Sequence, residues 1–259
     1  MFEFDKGNNS QIDKLYDYEI VKNPKAKRTT LWDHFGIALA EYFGTTTLLC
    51  LSCMGGALGI QGVLSSMHTS FTAGLAVTVA IQTFAHISGA HINPAVTLNA
   101  LIVDQITWRQ ILNYIIPQLL GSISGAAIFV AVTNSEALEF IGGRGVCVNT
   151  INTSITVWQG LAVEIVLSII LNLANCASWD ARNSDKTDSV SIKIGLLVTV
   201  LNLGGGAYTG ASMNPARSFG PAVMSGDFKD HWVYWVGPVA GSLIASIIYK
   251  MVYLRKKSK

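Results

Sequence analysis

Thr209-Gly210-Ala211-Ser212-Met213-Asn214-Pro215-Ala216-Arg217-Ser218-Phe219-Gly220-Pro221 decides the fold, because its first half repeats an earlier stretch. That stretch is Ser88-Gly89-Ala90-His91-Ile92-Asn93-Pro94-Ala95, 121 positions upstream (214 − 93). Both contain Asn-Pro-Ala. Asn is a strong helix N-cap, and Pro is favoured at the first helical position, where its missing N–H is not needed. Each motif therefore starts a helix, expected over roughly 94–103 and 215–224. Neither is long enough to cross a bilayer, which takes about 20 residues.

The rest of the chain supplies the bilayer. Half of its 259 residues are hydrophobic and only 13% are charged, against about 25% in a soluble domain. Mean hydropathy is +0.41. A net charge of +2 gives no reason to expect nucleic acid as a partner. Apolar runs read as spans at about 35–58, 68–89, 109–133, 157–179, 190–208 and 231–253. Basic residues alternate by side. Lys22, Lys25, Lys27 and Arg28 precede the first span, Arg182, Lys186 and Lys193 lie in or beside the loop after the fourth, and Arg255, Lys256, Lys257 and Lys259 follow the sixth. The loops 59–67 and 134–156 offer only Arg144, and the segment 225–230 only Lys229. The positive-inside rule then expects both termini in the cytoplasm. Residues 1–30 read as a polar cytoplasmic tail with no signal peptide.

The two halves repeat. Pro117 matches Pro238 at the same offset of 121, and Glu41 matches Glu164 at an offset of 123. Residues 31–133 form the first repeat, 134–156 an outer connecting loop, 157–253 the second repeat and 254–259 a basic cytoplasmic end. Three spans per repeat start the second half on the opposite side of the membrane. Such inverted repeats meet at the bilayer midplane. The half-helices would enter from opposite faces and meet end to end there. The segments before them, Gly89–Ile92 and Gly210–Met213, would be non-helical at membrane depth, which is tolerated only where backbone is buried or lines a watery cavity. The side chains of Asn93 and Asn214 could donate N–H groups to a passing oxygen, and carbonyls of Gly89, Ala90, His91, Gly210 and Ser212 could accept from a hydroxyl. The opposed positive dipole ends repel cations.

The double Asn-Pro-Ala, the Ser-Gly-Ala-His lead, the run Asn214 to Pro221 and the paired Glu41 and Glu164 resemble the aquaporin, or major intrinsic protein, family over about residues 30–253. The resemblance implies an all-α membrane protein: a right-handed aquaporin bundle of six transmembrane helices and two re-entrant half-helices in an inverted repeat. It also implies a homotetramer in the plasma membrane, with a pore in each subunit, surrounded by lipid bilayer and with no cofactor. In that family Glu41 and Glu164, with Pro94 and Pro215, support the re-entrant backbone, and Arg217 belongs to an outer selectivity constriction. The remaining constriction positions fall on Ala73, Asn202 and Ala211.

Strict water channels of the family usually carry Phe and His where this chain has Ala73 and Asn202. The gate should therefore admit small uncharged solutes such as glycerol and urea besides water. Other marks point the other way: glycerol facilitators typically carry Asp after the arginine, where this chain has Ser218, and Pro-Leu in the sixth span, where it has Tyr234-Trp235. A water-channel backbone without the fifth-span His is most similar to the glycerol-permeable aquaporins of insects. The alternatives are a water-selective aquaporin and, more remotely, an ion-coupled transporter. No nucleophile, metal-ligand or phosphate-loop constellation suggests an enzyme.

Remaining residues carry plainer expectations. Gly204-Gly205-Gly206 makes the fifth-span register uncertain. His86 and His91 could sense pH but read more simply as backbone-bonding residues. Gly121, Gly125 and Gly241 suit close helix crossings. Cys50, Cys53 and Cys176 lie in spans and Cys147 in an outer loop, so neither a disulfide nor a metal site is expected. Asn152-Thr153-Ser154 and Asn8-Asn9-Ser10 fit the glycosylation sequon, the first in an outer loop and the second on the cytoplasmic side.

Overall fold

Capping chemistry sets where the helices begin. A computed structural model describes residues 30–60, 66–133, 138 and 147–254. The chain divides into Met1–Gly36 and Ile37–Lys259. In the first unit, Thr30 and Asp33 form a reciprocal cap: Thr30 N–H donates to Asp33 Oδ2 at 2.7 Å, and Asp33 N–H to Thr30 Oγ1 at 3.2 Å. Helix α1, Leu31–Ile60, thus starts four residues before the apolar run suggested. The basic clusters 22–28 and 255–259, Arg144 and the Asn8 sequon lie outside the described residues.

The second unit continues with α2, Ser66–Ser88; α3, Pro94–Ile102; α4, Ile111–Val132; α5, Val157–Trp179; α6, Val190–Thr209; α7, Pro215–Ser225; and α8, Val233–Ile248, which runs into a π turn, Tyr249–Tyr253. No strand occurs among the described residues. Among the described residues, six helices are long and apolar enough to cross a membrane. The short α3 and α7, of 9 and 11 residues, reach only about 14 and 17 Å at 1.5 Å per residue, roughly half of a ~30 Å hydrocarbon core.

The halves interlock through symmetry-related contacts. Helix α2 packs on α6, α4 on α7, and α8 on both α3 and α5. The α2–α6 crossing is made by Gly74 and Gly195, also 121 apart; a Cβ on either would overlap the other's carbonyl oxygen and a threonine hydroxyl. Gly121 and Gly125 let α4 approach the Tyr42 and Thr46 carbonyls of α1, and Gly241 lets α8 approach the Ile165 carbonyl of α5. Ser122 Oγ donates to Ala216 O, and Ser242 Oγ to Ala95 O at 2.6 Å, so each last span holds the other repeat's half-helix. Helix α6 runs unbroken through Gly204–Gly206, because Gly205 lets the Leu167 side chain in while Gly204 and Gly206 meet no neighbour.

Polarity is inverted relative to a soluble fold. Fully buried side chains include Glu41, Glu164, Gln118, Asn99 and Asn172, whereas Leu112, Ile116 and Leu120 form an exposed stripe along α4. Apolar surface this extensive suits lipid.

The expectation of no disulfide is wrong. Cys53 is bonded to Cys147, with Cα atoms 5.1 Å apart. The sequence separates the pair by 94 residues, and the bond ties the segment beginning at Cys147 to α1. Cys50 and Cys176 are free, and no group of three or more metal-ligating side chains occurs among the described residues.

Candidate functional site

The two asparagines act as caps first. Asn93 Oδ1 accepts from Ala95 N–H at 2.8 Å, and Asn214 Oδ1 from Ala216 N–H at 3.0 Å and Arg217 N–H at 3.2 Å. Their amide nitrogens cross. Asn93 Nδ2 donates to Met213 O at 2.9 Å and Asn214 Nδ2 to Ile92 O at 2.8 Å, so each clamps the residue before the other. An amide nitrogen carries two protons; one is spent on the clamp, and one per asparagine remains beyond it.

The segments ahead of the caps share one backbone pattern. Gly89, Ala90 and Ile92 have φ of 87°, 46° and 46°, and Gly210, Ala211 and Met213 have 76°, 45° and 53°. Non-glycine residues pay about 1–2 kcal/mol each for such left-handed geometry. Two buried carboxylates offset it. Glu41 accepts from His91 N–H at 2.9 Å, Ile92 N–H at 2.7 Å, Ser88 Oγ at 2.6 Å and Gln118 Nε2 at 2.8 Å. Glu164 accepts from Ser212 N–H at 2.9 Å, Met213 N–H at 2.8 Å and Thr209 Oγ1 at 2.7 Å. In a trans peptide the N–H and the preceding C=O point oppositely. N–H groups turned to the glutamates therefore turn the carbonyls of Ala90, His91, Ala211 and Ser212 the other way. Ala90 N–H and Ala211 N–H bond Ser88 Oγ and Thr209 Oγ1, which does the same for Gly89 and Gly210.

These segments line one cavity of about 1010 Å³ together with Asn93, Asn214, Ala73, Asn202, Ala211 and Arg217. All four residues assigned to the outer constriction are thus in the same wall system. Asn202 donates Nδ2 to Val198 O of its own helix at 3.2 Å, leaving Oδ1 as its free polar end. Arg217 donates Nη1 to Cys147 O at 2.5 Å and to Asn149 Oδ1 at 2.9 Å. Both acceptors are neutral, so the guanidinium keeps its charge uncompensated by them. Among the described residues, Glu41 and Glu164 do not line the cavity, and Asp188 and Arg217 are the charged side chains that do.

Several supporting residues escaped the sequence reading. Tyr114 OH donates to Ser88 O at 2.8 Å and Tyr234 OH to Thr209 O at 3.1 Å; the pair is 120 apart and an aligned repeat would have exposed it. Asn149 left no such signal, because the loop carrying it has no counterpart in the first repeat. His91 is buried, meets Thr97 Oγ1 at 3.3 Å and stacks on Tyr114 at 4.6 Å, which makes it a packed wall residue, whereas His86 is exposed and also lines the cavity. Asn152 donates Nδ2 to Ala207 O at 3.0 Å, so its amide nitrogen already anchors the loop.

Comparisons agree with this geometry. The sequence profile described as Major intrinsic protein matches residues 28–249. The lens fiber major intrinsic protein of Rattus norvegicus is 38% identical over 221 residues, 85% of this chain and 82% of the relative. Aquaporin-4 of Mus musculus is 42% identical over 224 residues, 85% of this chain and 68% of the relative. Among solved structures, the aquaglyceroporin from Plasmodium falciparum superposes with a TM-score of 0.75 at 23% identity, covering 85% of this chain and 96% of that one. At that identity the likeness concerns the fold.

Proposed function

The chain belongs to the major intrinsic protein family, a family of channels rather than enzymes, and from that membership we propose that it conducts glycerol and urea as well as water. One observation carries the solute range: Ala73 and Ala211 stand with Asn202 and Arg217 in the wall of a single cavity. Ala73 and Asn202 leave more room in a constriction than the Phe and His rings of strict water channels would, and pore width with lining donors sets selectivity in such channels. Arg217 and the free Asn93 and Asn214 protons donate to solute oxygens, and the carbonyls of Gly89, Ala90, His91, Gly210 and Ser212 accept from solute hydroxyls. A polyol can move along that ladder by exchanging one set of hydrogen bonds for the next. Cations meet Arg217 and two positive helix ends.

The chain is a multi-pass membrane protein. We infer cytoplasmic termini from the basic residues at both ends, a plasma-membrane location, assembly into a tetramer through the apolar outer faces, and Asn152 as a glycan acceptor only when its bond to Ala207 opens.

A second reading, a water-selective pore, is favoured by Ser218 and Tyr234-Trp235 in place of Asp and Pro-Leu. Stopped-flow light scattering of proteoliposomes separates the two. Fast shrinkage in an osmotic step followed by re-swelling in glycerol or urea is expected; shrinkage without re-swelling would establish the water-selective reading. Ala73→Phe combined with Asn202→His should suppress glycerol more than water.

A further inference from the structure

The disulfide reaches the constriction. Cys53 lies near the end of α1, and its partner Cys147 offers the carbonyl that accepts from Arg217 Nη1 at 2.5 Å. Two residues on, Asn149 is buried and tied down at every polar atom of its side chain. Its Oδ1 accepts from Arg217 Nη1 at 2.9 Å and Ser218 Oγ at 2.8 Å, and its Nδ2 donates to Gly210 O at 3.1 Å. Residues 147–150 have no helix or strand to hold them. Cys147 also has φ of 67°, a left-handed conformation that persists in a non-glycine residue only where the surroundings impose it. The covalent bond to α1 is such a constraint.

We propose that the Cys53–Cys147 disulfide is a positioning element of the constriction: it fixes the Cys147 carbonyl and, through it, the guanidinium of Arg217, so that cleaving it alters which solutes pass. With cytoplasmic termini the bond faces the outer side, where disulfides persist. Once released, the guanidinium can swing toward the space left open by Ala73 and Ala211. Glycerol needs both that space and a stationary donor; water needs less of each. The glycerol arm rests on the proposed solute range.

Dithiothreitol supplies the two electrons and two protons of the cleavage. Its thiolate attacks one sulfur, the mixed disulfide closes to the reagent's cyclic disulfide, and Cys53 and Cys147 leave as thiols. Alkylation and peptide mass spectrometry follow the bond, while stopped-flow on proteoliposomes follows water and glycerol. In untreated protein the two peptides should be linked. Cleavage should lower glycerol relative to water by about fivefold, the equivalent of one net hydrogen bond. Untreated Cys53→Ser should match the reduced parent and ignore the reagent, and Cys50→Ser should behave as the parent does. Where the bond resists the reagent, Cys53→Ser and Cys147→Ser replace reduction, and where those variants fail to fold, the reduced parent stands for them.

Free thiols in untreated protein would overturn the proposal. So would unchanged fluxes after verified cleavage, or a response to reductant that survives in Cys53→Ser. If the oxidised parent passes no glycerol, the solute range fails by itself; the positioning role is then judged on water flux, which should fall on cleavage and would refute it by staying constant.

Discussion

Glu164 accepts three hydrogen bonds in a site with no access to solvent. Two come from backbone N–H groups that cannot move without turning a carbonyl out of the cavity wall. Glu164→Ala leaves all three donors unpaired and should cost at least about 3 kcal/mol, read as a lowered unfolding midpoint in detergent together with lost flux. Glu164→Gln keeps one acceptor oxygen and should fall between. A proton-relay role is disfavoured by the same bonds: Glu41 and Glu164 face donors behind the wall. His231 makes a pH-dependent case. Its Nε2 accepts from Trp235 Nε1 at 3.1 Å, and burial lowers its pKa from 6.5. Because the folded state resists protonation, this contribution to stability is complete above pH 6.5 and declines as pH falls below it. Unfolding midpoints across that range should drop toward acid, and His231→Gln should flatten the dependence.

Among elements, the α2–α6 pair depends on the absence of two side chains. A methyl group on Gly195 would overlap Thr78 Oγ1 and lie 2.6 Å from the Gly74 carbonyl oxygen, so Gly195→Ala should force the helices apart and cost about 1–3 kcal/mol. Gly204, also in α6, meets nothing within 4 Å. Gly204→Ala should be neutral or stabilise by up to about 1 kcal/mol through better helix propensity. Thermal unfolding of both variants, with opposite signs expected, checks the argument. The same helix shows what local pattern conveys. Three consecutive glycines read as a weak register, yet Leu167 fills the notch at Gly205 and the helix continues to Thr209. The half-helices were legible to within a residue because Asn cap and Pro start are local chemistry. Their crossed asparagine clamp was not, since it joins residues 120 and 122 apart in sequence.

For the whole molecule, the two repeats meet at one cavity whose charged lining, among the described residues, is Arg217 and Asp188. Two helix N-termini add positive potential at its waist. Planar-bilayer recordings across Na⁺, K⁺ or proton gradients should therefore show no current above the lipid background, even where water flux is fast; a protein-dependent current would contradict ion exclusion. The inverted repeat, the six spans and the starts of both half-helices were determined by the sequence alone. They rest on hydropathy, caps and a constant offset, which are properties of neighbouring residues or of the chain compared with itself. Only the tertiary structure decided that the asparagines clamp each other's segments, that Asn149 holds Arg217, and that Cys53 reaches Cys147. Those contacts join segments 68 to 122 residues apart, and such pairings exist only once the bundle has closed.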